Sequence, residues 1–165
     1  DCLLSRGLGD VYKRQPYHLL REEMQEFILD KLQLLIERKL IKGIGENGTE
    51  YTVIAQILDL PKEILRLIQK FDFTKKNPKL IYINTGETMI SLQDSILVTF
   101  LNLAGFDILF FVPTGYQSVE NYFAEKLMEE HQIGEYKYDM QVPDLNNIST
   151  NSTRPSWRRK LFRRG

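Results

Sequence analysis

The sequence has little of what most compact catalytic centres and cross-links are built from. Among its 165 residues there is one cysteine, Cys2, and only two histidines, His18 and His131. A single thiol forms no disulfide within the chain and no multi-cysteine metal centre. His18 stands beside an anomalous N-terminal stretch and His131 among Glu129, Glu130 and Gln132, so neither presents the pattern of a nucleophile–base–orienter triad. No long apolar run occurs. The best, Ile108-Leu109-Phe110-Phe111-Val112, has strand length and falls far below the roughly 18 residues of a membrane span. With 42% apolar and 27% charged residues, the composition suits a globular core.

Net charge is zero only because two regions cancel. Residues 16–153 carry 13 basic and 20 acidic side chains, while Arg154, Arg158, Arg159, Lys160, Arg163 and Arg164 form a basic tail with no acidic residue among them. An acidic body opposes the electrostatic attraction that dominates DNA affinity, so nucleic acid is not the expected partner. The tail also holds Trp157, Leu161 and Phe162, a pairing of apolar and basic groups expected to make weak, salt-sensitive contact with an anionic membrane surface, although docking on the acidic body, nucleic-acid attraction and a simply disordered solubilising tail fit the same residues.

Residues 1–15 read Asp-Cys-Leu-Leu-Ser-Arg-Gly-Leu-Gly-Asp-Val-Tyr-Lys-Arg-Gln and resemble translated sequencing-adapter read-through, so they are set apart from the fold. On that reading Cys2 is not native, the natural chain continues upstream, and catalytic residues could lie in the missing part. The expected organisation is then a helical segment over 16–73, an α/β domain over 74–143, and a polar linker with the basic tail over 144–165.

From Tyr17 to Leu40, apolar residues recur every three or four positions with charges largely opposite, which predicts an amphipathic helix ended by the Gly43–Gly48 stretch. Two shorter helices are expected over about 51–58 and 61–70, with Pro61 at a helix start. Ala55, Asp59-Leu60, Leu65 and Ile68 lie near helix-turn-helix spacing. The turn lacks glycine, however, and Glu63 would face phosphates, so internal packing of these helices is the preferred expectation over a DNA reader.

Beyond Pro78 the period changes. Leu80-Ile81-Tyr82-Ile83 reads as a buried strand and Ser91 as the N-cap of a helix running to about Ala104. Ile108 to Val112 reads as a second strand, Ser118 to about Glu130 as a second helix, and 135–142 as an edge strand or extended segment. The expected fold class is therefore α/β, a Rossmann-like βαβα parallel-sheet unit preceded by a helical segment. Strands joined by a helix run parallel, which brings the loops 84–88 and 113–117 to one carboxyl edge, each entering a helix N-terminus. Asn84, Thr85, Gly86, Glu87, Thr114, Gly115 and Tyr116 are the candidate ligand-binding residues. Their backbone N–H groups and hydroxyls suit a phosphorylated or nucleotide-like small molecule, although neither loop is a P-loop or a GxGxxG turn. Turn glycines and helix-capping hydroxyls explain the same residues without a ligand. Glu87 is open to a base or metal role, and Glu129, Glu130 and Glu135 to a cation, but solvated carboxylates are the plainer expectation. No metal site, cofactor or catalytic residue is assigned.

Several phrases occurring in order carry a resemblance: Phe71-Asp72-Phe73-Thr74, Leu80 to Glu87, Ser91 to Ile96, Gly105-Phe106-Asp107 and Pro113 to Glu120. Over about residues 20–145 the chain resembles the C-terminal region of bacterial YceG-like proteins. These are described as components of the biosynthetic module in tellurium-resistance and stress-response gene clusters. The resemblance implies a cytoplasmic protein much longer than this chain, working beside other proteins of the same cluster that make a nucleotide-like or related metabolite. It carries no catalytic residues over. The competing function class is a non-enzymatic interaction protein, scaffold or DNA-binding adaptor using residues 51–70.

Overall fold

The computed structural model describes residues 16–70, 76–86, 89–116 and 119–142. After a 3-10 turn over Pro16–Leu19 come helices α1 (Glu22–Glu37), α2 (Thr49–Leu58) and α3 (Lys62–Lys70), strand β1 (Lys79–Ile83), helix α4 (Leu92–Leu103) and strand β2 (Asp107–Phe111). The turn at residues 38–48 separates α1 from α2. There Gly43 takes φ +88°, and a Cβ on it would stand 2.5 Å from Thr49 Oγ1, so no other residue fits without displacement.

Helix α4 organises the interior. Ser91 is its N-cap, its Oγ accepting the Asp94 N–H at 3.0 Å while its own hydroxyl donates to Asp94 Oδ2 at 2.7 Å. Along α4, Ile96, Val98, Phe100 and Leu101 are buried, and α1 and α2 pack against it on one side and β2 on another. Two hydroxyls are buried with them at little cost, because Ser95 Oγ donates to Ser91 O and Thr99 Oγ1 to Ser95 O, each at 2.8 Å. One apolar cluster runs from Tyr17 through Ile28, Leu35, Val53, Ile57, Leu65 and Phe100 to Phe123. The short helices α2 and α3 contribute Val53, Ile57, Leu58, Leu65 and Ile68 to it, which is the internal packing expected of residues 51–70.

β1 and β2 pair in parallel, Lys79 opposite Asp107 through Ile83 opposite Phe111. A mixed helix–strand fold with a small two-stranded parallel sheet is thus present. The second helix of the expected βαβα unit is not formed by the described residues that follow β2. Residues 119–130 make bends and turns. Ile41 and Phe123 form an antiparallel bridge, Lys42 N donates to Tyr122 O and Ala124 N to Leu40 O, each at 2.9 Å. Val119 and Phe123 remain buried, so the apolar spacing served the core, while residues 122–124 pair with residues 40–42 and, among the described residues, the stretch closes a single turn bond of its own, Phe123 N donating to Glu120 O at 3.3 Å. Tertiary pairing overrides local preference here, helped by the poor helix formers Asn121, Tyr122 and Phe123. Residues 135–142 likewise form no strand. The N-terminal stretch 1–15, Glu87 and the basic tail lie outside the described residues.

Candidate functional site

The register of the strands decides where the candidate residues meet. Because Ile83 faces Phe111 across a parallel pair, the chain leaves both strands at one edge, and the Asn84 N–H extends the ladder by donating to Phe111 O at 2.9 Å. Asn84, Thr85 and Gly86 therefore follow the carboxyl end of β1, and Thr114, Gly115 and Tyr116 follow that of its paired strand β2. The Asn84 side chain closes its own turn, Oδ1 accepting the Gly86 N–H at 3.2 Å.

Thr114 is buried, and among the described residues its Oγ1 has no hydrogen-bond partner. A buried hydroxyl left unpaired costs about 1–3 kcal/mol, so this atom marks a position poised for a polar contact. Gly115 follows at φ +71°, its N–H donating to Val112 O at 3.0 Å. The space left by its missing side chain is already used: a Cβ there would lie 2.2 Å from Tyr136 Cε1. The Lys137 N–H donates to Pro113 O at 2.9 Å, and Tyr138 meets Tyr116 edge-on with ring centroids 6.4 Å apart. Residues 136–138 thus form a strap across the loop that follows β2. Periodicity gave no warning of it, since every residue of the strap is exposed and its contacts are with a loop some twenty positions earlier.

Two expected features of the edge need correction. No described helix follows the 113–116 loop, so two helix N-termini do not converge there. The α4 N-terminus already carries the Asp94 carboxylate, which accepts from Ser91 and, at 3.1 Å, from the Tyr82 hydroxyl. An anion approaching that helix end meets a like charge where a vacant dipole end was expected. Burial, followed by the Asp94 charge and hydrogen bond, holds the Tyr82 phenol above its usual pKa.

A separate open groove of about 720 Å³ lies between α2 and α4, where Gln56, Asp59, Gln93 and Leu97 are among the lining residues. Gln56 Nε2 donates to Gln93 O, and its Oε1 is buried without a partner. Sequence reading did not single out this groove, because its polar residues are scattered over two helices. His131 is exposed, with Nε2 3.6 Å from Glu129 Oε2. Among the described residues no three His, Cys, Asp or Glu side chains are placed to hold a metal ion, and no helix is long and apolar enough to cross a membrane.

Comparison with known proteins finds the YceG domain matching residues 9–153. The uncharacterized protein YceG of Bacillus subtilis (strain 168) is 31% identical over 93 residues, which cover 54% of this chain and 17% of the relative. The chain therefore spans less than a fifth of the curated relative it matches. No solved structure matches it. A domain match over most of the sequence shows that this chain belongs to the YceG domain family.

Proposed function

We propose that this YceG-family chain binds a phosphorylated or nucleotide-like small molecule at the carboxyl edge of its parallel strand pair. The observation that carries the reading is the Thr114 hydroxyl, buried and unpaired in the loop after β2. Asn84, Thr85 and Gly86 leave β1 at the same edge from which that loop leaves β2, and Lys137 is the basic residue whose backbone N–H reaches Pro113 O of the loop. The binding position lies toward the 113–116 loop, away from the Asp94 carboxylate at the α4 N-terminus. In the finer form of the proposal, the site belongs to a Rossmann-like sheet of the longer protein. That protein works in the cytoplasm in a stress-response or tellurium-resistance biosynthetic module, beside the other proteins of its gene cluster.

Thermal-shift measurements with nucleotides, nucleotide sugars and sugar phosphates test the site. A ligand at a hundredfold its Kd stabilises by about 2.7 kcal/mol, which for a chain of this size raises Tm by roughly 5–10 °C. Thr114→Val removes the unpaired hydroxyl and should leave the unliganded fold at least as stable, while abolishing most of the ligand shift. A panel with no stabilising compound, or an undiminished shift in Thr114→Val, overturns the proposal.

A further inference from the structure

The two strands present opposite faces to different surroundings. Leu80, Ile108 and Phe110 pack against the core cluster. On the other face Ile81 is 56% exposed, Ile83 38%, Leu109 49% and Phe111 40%. Register sets these four side chains in one square, Ile81 beside Leu109 and Ile83 beside Phe111. The Lys79–Asp107 ion pair, 2.6 Å apart, borders the square at its amino end.

Such a face is not a stable solvent surface. Parallel sheets occur with both faces covered, because the crossovers between their strands lay helices on each side. Here the single crossover, α4, reaches only one side. The outer edges of β1 and β2 are also unpaired among the described residues, so the sheet is incomplete as well as half covered. The matched stretch is only 17% of the Bacillus subtilis relative, so most of such a polypeptide lies outside the region seen here.

We infer that the face formed by Ile81, Ile83, Leu109 and Phe111 is an internal docking surface of the longer YceG polypeptides. Its occupant is one or more amphipathic helices of the same polypeptide, lying outside this region and turning an aliphatic stripe to the square. The aliphatic character of three of the four side chains suits a Leu/Ile/Val stripe, and the Lys79–Asp107 pair at the border supplies a polar rim. The inference concerns the outer face of the sheet and is independent of the ligand proposed at its carboxyl edge.

Two measurements decide it. In the 165-residue chain the face should be open, so ANS fluorescence should fall by about threefold or more in Leu109→Lys and Ile81→Lys, because the dye reports exposed apolar surface. Tm should change little in these variants, and the chain should elute as a monomer in light scattering. Undiminished fluorescence, or a defined dimer that Leu109→Lys dissociates, overturns the inference, the dimer by making a second copy the occupant. In the second measurement, residues 16–142 replace the matching segment of the full-length Bacillus subtilis protein, with a photo-reactive benzophenone amino acid at position 109. Cross-links mapped by mass spectrometry should join position 109 to residues of the same polypeptide outside the inserted segment. A folded, monomeric chimera with no such cross-link, or with cross-links only between copies, overturns it.

Discussion

The interior around α4 and the segment that follows β2 are held together by different physics. Around α4, closely packed side chains such as Ile28, Leu35, Ile57, Ile96 and Phe100 lose nearly all contact with water, and most backbone groups are paired within their own helix. Among the described residues of 113–142 only Thr114, Val119 and Phe123 are buried, and the segment is fixed by single backbone hydrogen bonds to distant partners, by the Tyr136 ring on Gly115 and by the Tyr116–Tyr138 contact. The first arrangement is cooperative, so loss of one part is felt throughout. The second is a set of separable attachments, suited to opening locally while the core stays intact.

The largest test of that contrast is Phe100→Ala. Phe100 is fully buried, and truncating a core phenylalanine costs about 3–5 kcal/mol through lost transfer energy and the cavity left behind. Urea denaturation should show the midpoint falling with the slope unchanged. A cost below about 1 kcal/mol would mean that the core relaxes around the gap and that the two regions differ less than stated.

Gly115→Ala should act on the strap with a smaller global effect. The positive φ costs a non-glycine residue about 1–2 kcal/mol, and the new methyl group meets the Tyr136 ring. The expected outcome is a modest fall in Tm together with much faster trypsin cleavage after Lys137, as residues 136–138 leave the loop. Unchanged cleavage at Lys137 would show that the strap is held by other contacts.

The smallest expected effect lies within the first region, where Tyr82 of β1 donates to Asp94 at the start of α4. With the Tyr82 pKa raised by burial and by Asp94, the folded state keeps its proton after the unfolded chain has begun to lose it. The corresponding stability is fully present below the ordinary tyrosine pKa of about 10 and declines as pH rises through the folded value. Tyr82→Phe should lower stability modestly at neutral pH, where the hydrogen bond to Asp94 is lost, and flatten the alkaline side of the stability–pH curve. An alkaline limb identical to that of the parent would assign the decline to another group.

Much of the local architecture was legible because it depends on near neighbours. The 3.6-residue spacing that marks α1, Ser91 with Asp94 three positions on, and the apolar runs of β1 and β2 each state their structure within one or two turns of chain. Parallel pairing followed from a helix lying between two strands. The region 119–130 was not legible, since Val119 and Phe123 carry helical spacing while their backbone partners, residues 40–42, are remote in sequence. The candidate edge divides in the same way. Parallel pairing sends both loops off the same edge of the strands, but the seating of Tyr136 on Gly115 depends on a strap that is irregular and without period. At α4 the same Asp94 that signals a helix start also removes the vacancy an anion would need, a consequence visible only once Tyr82 and Ser91 are placed around it.

The bridge between Ile41 and Phe123 also bears on the order in which the molecule assembles. Lys42 Nζ donates to Asn121 O at 2.7 Å across 79 positions of sequence, and the backbone bonds beside it span a similar distance. Ends so far apart meet slowly compared with the winding of the individual helices, whose backbone bonds lie within a turn of chain, because loop-closure entropy must be overcome before the contact returns any energy. The clasp is therefore expected to close after the helices have formed. Substitutions at Lys42 or Phe123 should accordingly speed unfolding more than they slow folding.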